Sequence, residues 1–203
     1  MVFAWPIGIN ITTAILFATP EKFGGYGFSN KNLGILYFTP IVGIFLAEMF
    51  GHFFNDAMAR RYIHRHKGVF EPEVRLITLY IAAVPMMAGL ILVGQTLERH
   101  LPVVAVVFGW GMSSFGIMLN SVATQAYALD SYPTAPAELA GWIQFARVIG
   151  GFSVGYYQQS WGLKVGYGAS FGTQAAIVGF SLLFVAAAHV WGHKLRRRFT
   201  FEG

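Results

Sequence analysis

Residues 76–95 read LITLYIAAVPMMAGLILVGQ, twenty positions without a charge. About 20 mostly apolar residues cross a hydrocarbon layer roughly 30 Å thick as a helix, because each adds about 1.5 Å. Outward from this stretch the pattern repeats. Apolar runs cover residues 33–54, 102–128, 139–160 and 168–191, and a shorter run, broken by Pro6, covers 2–18. The sequence therefore predicts an all-α integral membrane bundle of six helices, with a polar loop over 55–75 and a tail over 192–203. Turn chemistry separates the runs. Residues 24–32 are rich in Gly, Ser and Asn, and Pro133 and Pro136 divide the fourth run from the fifth. Glu71-Pro72-Glu73 reads as a helix start, with Pro suited to the first turn and acid favourable at the positive helix end.

Composition agrees. Of the 203 residues, 55% are hydrophobic and only 11% charged, against about a quarter charged in soluble domains. The mean hydropathy is +0.54. Absence of cysteine excludes disulfides and cysteine-based metal sites or nucleophiles. The net charge of +5 is explained by position. Arg60, Arg61, Arg65, Lys67, Arg75, Lys194, Arg196, Arg197 and Arg198 fall on one side if the runs alternate. Lys22, Lys31, Arg99 and Lys164 fall on the other, and Arg147 lies inside the fifth run. This asymmetry places the 55–75 loop and both termini in the cytoplasm. The basic charge is a topology signal, and no nucleic-acid partner is expected. Met1 leads directly into an apolar run without a basic segment, so no cleavable leader is expected.

Ionisable groups inside membrane spans are costly and mark function or pairing. Glu48, His52 and Asn55 are spaced to share a helix face, beside a stripe of Gly43, Ala47 and Gly51. Glu48 either lines a proton- or cation-sensitive pathway or holds a neighbouring helix. Arg147, with Gln144 on its face, either meets an anionic group or pairs with Glu48 or Asp130. Asn120 and Gln125 either touch a solute or bond another helix. His64 and His66 read as solvated loop residues, since no metal-ligand spacing accompanies them, and His189 as structural. Asn10-Ile11-Thr12 matches a glycosylation pattern but sits within an apolar run. No phosphate loop, nucleophile elbow, zinc-protease pattern or channel filter is present, so neither an enzyme, a cofactor, a metal nor a pore is expected.

The stretch 51–61, GHFFNDAMARR, resembles the loop motif of the major facilitator superfamily: a glycine at a helix end, then an acid, then paired basic residues. It falls between the second and third runs, where that family carries it. The segments 61–63 (RYI), 68–76 (GVFEPEVRL), 126–133 (AYALDSYP) and 145–151 (FARVIGG) are similar to fungal members of drug:proton antiporter type. Two departures stand out. Asn55 occupies the usual acidic position with Asp56 one later, and the glycine before the basic pair is missing. The resemblance covers nearly the whole chain as the family's C-terminal half, helices seven to twelve. It implies a plasma-membrane secondary carrier of a small organic solute, coupled to protons, completed by an N-terminal six-helix half or a second half-transporter. It implies a gating cluster of Asp56, Arg60 or Arg61, and Asp130. Glu48, His52, Asn120, Gln144 and Arg147 are the candidates for the solute or proton path. The alternative is a non-transporting fragment that associates with or regulates a full-length transporter, and the alternative location is a vacuolar or other internal membrane.

Overall fold

The computed structural model describes residues 5–19, 26–66 and 71–198. Residues 2–4 of the first run, Lys22, Lys67 and the tail beyond Arg198 lie outside the described residues. The elements are α1 (Trp5–Ala18), α2 (Asn30–Leu36), α3 (Phe38–Arg65), a 3-10 turn (Pro72–Arg75), α4 (Leu76–Arg99), α5 (Val103–Ser131), α6 (Pro136–Val165) and α7 (Tyr167–Arg198). The described residues contain no strand.

Boundary chemistry explains the starts and stops. The Ser29 side chain accepts from the Asn32 N–H and caps α2. Pro136 opens α6, with Glu138 in its first turn. Gly166 closes α6 at φ +94°, a conformation that favours glycine. The adjacent start of α7 is held by Glu98, whose Oε2 accepts from the Gly168 N–H at 2.9 Å. Two boundaries depart from the sequence reading: α7 continues as helix to Arg198, into the expected 192–203 tail, and α3 continues to Arg65, well into the expected 55–75 loop. Ala57, Met58, Ala59, Arg60 and Arg61 are good helix formers, and neither Gly nor Pro interrupts them. The apolar run ends at the membrane, but the helix does not.

Among the described residues, four helical segments are long and apolar enough to cross a bilayer: Asn30–Arg65, Pro72–Arg99, Val103–Ser131 and Tyr167–Gly192. The described part of α1 has 14 residues. α6 has 30 residues but carries Gln144, Arg147, Ser153, Gln158 and Gln159 along its length.

α4 lies at the centre, packed on α5 and α7, with α3 against α5 and α1 against α6. The core joins Met86, Leu90, Val93 and Leu97 of α4 to Val106 and Trp110 of α5 and Phe171 and Val178 of α7. The α4–α5 crossing is tight because Gly89 meets the backbone of Gly109 and Ser113.

Neighbour contacts give the helix directions. Ile7 lies at Gly151 and Ile11 at Gly155, so α1 and α6 run parallel. Gly43 lies at Gly111 and Gly51 at Val122, so α3 and α5 run parallel. Gly89 lies at Gly109 and Gly116 at Met86, so α4 and α5 are antiparallel. Gly94 lies at Phe171 and Gly179 at Met87, so α4 and α7 are antiparallel as well. Gly162 lies at Tyr167 and Gln158 bonds Gln174, so α6 and α7 are antiparallel. The directions of α1, α3, α4, α5, α6 and α7 therefore alternate along the chain. The end of α3, the start of α4 and the end of α5 share one end of the bundle.

Candidate solute site and charge pairs

Arg147 sits on α6, where Nη2 donates to Ser121 Oγ of α5 at 2.7 Å. Both residues lie about 15 Å from the helix ends nearest the 55–75 segment, at 1.5 Å per residue. Beside them is a cavity of about 230 Å³ between α1, α3, α5 and α6. Asn10, Ser114, Ser121 and Arg147 supply its polar lining, and Ile44 and Trp110 lie on its apolar side. Asn10 Oδ1 is buried without a hydrogen-bond partner among the described residues. Tyr37 holds this stretch of α1 by donating to the Asn10 carbonyl at 3.3 Å, and its ring packs edge-on against Trp110.

A guanidinium in such a setting recognises carboxylates and other planar acceptors. Complete small-molecule sites run to about 300–1,000 Å³, so this cavity is the size of one wall of such a site.

The other candidates are dispersed. Glu48 and His52 are exposed on the outer face of α3. Asn55, expected on their face, is instead buried with Gly43, Ala47 and Gly51. Its Oδ1 accepts from Thr78 Oγ1 of α4 at 2.6 Å. Spacing of seven residues and spacing of four compete on a helix, and the small-residue stripe won. Gln144 and Gln125 are exposed, while Asn120 accepts from Thr124 one turn away on its own helix. Thr12 of the glycosylation pattern is fully buried.

The expected charge cluster is also distributed. Asp56 lies 4.0 Å from His52 Nε2. Asp130 forms its ion pair with Arg75, and Arg60 and Arg61 are exposed. The 3-10 turn sets Arg75 against the end of α5, whereas Arg60 and Arg61 lie on the exposed surface of the prolonged α3.

Two further polar contacts leave little trace in the sequence. One is Arg75–Asp130, because Arg75 was counted only as a loop charge. The other joins Gln158, Ser170 and Gln174, all fully buried. Gln174 Nε2 donates to Gln158 Oε1 at 2.7 Å. The available signal was Gln158 in register with Gly151, Val154 and Gly162, the buried stripe of α6.

An all-α bundle with four helices of spanning length and composition defines an integral membrane protein. Its relatives are transporters. The chain is 34% identical over 110 residues to MFS antiporter QDR3 of Candida albicans, covering 53% of the chain and 16% of that protein. It is 26% identical over 190 residues to efflux pump radE of Floropilus chiversii, covering 87% of the chain and 33% of that protein. It is 25% identical over 126 residues to quinidine resistance protein 3 of Saccharomyces cerevisiae, covering 62% of the chain and 18% of that protein. The chain is thus similar to fungal major-facilitator transporters, drug-antiporter-like ones among them. The matched regions span from about a sixth to a third of these relatives' lengths. No family model matches the chain, and no solved structure does.

Proposed function

We propose that this chain forms helices seven to twelve of a major-facilitator carrier that moves a small organic solute in exchange for, or together with, protons. The similarity to an efflux pump over 87% of the chain carries this reading. Alternating helix directions support a six-span half with both termini and the 55–75 segment in the cytoplasm, and the plasma membrane is the location proposed. The Arg147 cavity is the half's contribution to the solute site. Asn10, Ser114 and Ser121 surround the guanidinium, and an N-terminal half closes the opposite side. Glu48 and His52 lie exposed within the second apolar run. A charge there facing lipid would cost about 2.5–3.5 kcal/mol, so they face the second half or a watered path. Asp56, Arg60 and Arg61 form the gating segment, and Asp130, paired with Arg75, is the acid of that cluster at the end of α5.

The test is reconstitution of the complete product, with any coding sequence upstream of Met1 included, and measurement of solute-dependent proton flux. Solute should drive proton movement, and Arg147→Met should reduce it at least about tenfold, the worth of one charged hydrogen bond. Solute movement that ignores a collapsed proton gradient would refute the coupling. Full activity in Arg147→Met would refute the site. Co-purification with a full-length relative, without transport, would favour the fragment reading instead.

A further inference from the structure

The last two turns of α3 and the start of α4 enclose a second cavity, of about 300 Å³, at the end of the bundle opposite the α6–α7 turn. Arg61, Arg65 and His66 supply its charge and ring edges, and Met58, Val74 and Ile77 supply an apolar floor. Tyr62 forms the wall between them. Its hydroxyl donates to Glu71 Oε2 at 2.7 Å, and the His66 ring stacks on it at 3.9 Å. The wall is thus held in place before any ligand arrives.

The two guanidinium groups of this pocket have no direct ion-pair partner among the described residues. Among the described residues no acid lies within 4.0 Å of Arg61 or Arg65. Glu71 keeps its charge but is turned to the Tyr62 hydroxyl, and Asp130 is paired with Arg75. Arg61 and Arg65 are one helical turn apart, which sets their Cβ atoms about 5–6 Å from each other. That separation suits two guanidinium groups on one phosphate. The level in the membrane is set by the floor, since Ile77 is the second residue of the apolar run 76–95. The pocket therefore spans the boundary where α4 enters the hydrocarbon and the arginines reach the headgroups.

We propose that this pocket binds an anionic phospholipid, with its phosphate between Arg61 and Arg65 and the first methylenes of a chain on Met58, Val74 and Ile77. Basic pockets between helices at a membrane face have the chemistry for such headgroups. The apolar floor distinguishes a lipid from a soluble phosphate, which would use the arginines alone. This inference does not depend on the solute assignment of the Arg147 cavity.

The test uses the purified, delipidated chain in detergent. It is titrated with phosphatidylglycerol or phosphatidylcholine of identical acyl chains, and bound lipid is counted by native mass spectrometry. Each interfacial arginine is worth about fivefold, so the pair should favour phosphatidylglycerol about thirtyfold. Arg61→Gln with Arg65→Gln should abolish that preference, and Arg61→Lys with Arg65→Lys should keep most of it. If the Gln pair fails to fold, salt decides on the wild type. Shortening the screening length from about 10 Å to about 3 Å should erase the preference. Equal binding of the two lipids, or a preference unmoved by both the Gln pair and salt, overturns the proposal. So does inorganic phosphate that displaces phosphatidylglycerol at comparable concentration, because the site would then belong to a soluble anion.

Discussion

Replacing Gly89 by alanine tests the α4–α5 crossing on which the bundle rests. A Cβ built at Gly89 falls 2.5 Å from the Gly109 carbonyl oxygen and 2.9 Å from Ser113 Cα, and closer still to the Ser113 nitrogen. Ordinary contact begins at 3.4 Å. All three atoms are backbone, so no side chain can rotate away, and the helices must part by about 1 Å. A gap of 0.5–1 Å already forfeits roughly a quarter to a half of each contact well along the seam. Overpacking of this kind costs about 1–3 kcal/mol, and a rigid backbone obstacle places Gly89 at the upper end. Alanine returns about 1 kcal/mol of helix propensity, leaving a net loss of about 2 kcal/mol. Gly141 of α6 is the control, because nothing lies within 4 Å of a Cβ built there. Gly141→Ala keeps only the propensity gain and should be neutral or stabilising. Both variants are compared with wild type by reversible unfolding of the purified chain in mixed micelles. Gly89→Ala as stable as wild type, or a loss equal to that of Gly141→Ala, would refute the reasoning.

Three further outcomes follow from the polar contacts. Arg75→Gln and Asp130→Asn should each destabilise the chain, and a double-mutant cycle should give a coupling of about 0.5–3 kcal/mol; additive losses would show that the pair is not energetically joined. Gln174→Leu strands Gln158 Oε1 in a fully buried position and should cost about 0.6–1.7 kcal/mol, the range measured between membrane helices, read in the same unfolding assay. Tyr26 lies in the α1–α2 connection and donates to the Thr96 and Leu101 carbonyls. Burial raises its phenol above the ordinary value. Its stabilisation is therefore complete below about pH 10, the unfolded value, and is lost as pH rises through the higher folded value. Thermal unfolding across that range should show a decline that Tyr26→Phe makes shallower.

The polar contacts also show where sequence reading loses its grip. The sequence offers Arg147, Arg60 and Arg61 as partners for the Asp130 carboxylate. The choice of Arg75 depends on a 3-10 turn that folds back against α5, and pairings between distant segments leave no periodic trace. Arg147 was legible because a charge inside an apolar run is conspicuous. Its partner Ser121 was not, since a serine in a span carries no such signal.

The sequence by itself determined the solvent and the class of structure. Long uncharged runs have no stable form in lipid other than helices that satisfy their own backbone groups. Charge asymmetry and the 51–61 motif added the order of spans and the likeness to carriers. Tertiary structure decided which face of each helix is inside. On α3 it buried Asn55 with the glycines and left Glu48 and His52 outside. It also brought Asn10, Ser114, Ser121 and Arg147 from three helices around one cavity. The reason is physical: a spanning helix is apolar all round, so hydrophobic periodicity cannot orient it. Close backbone approach at Gly43, Gly89 and Gly116 does.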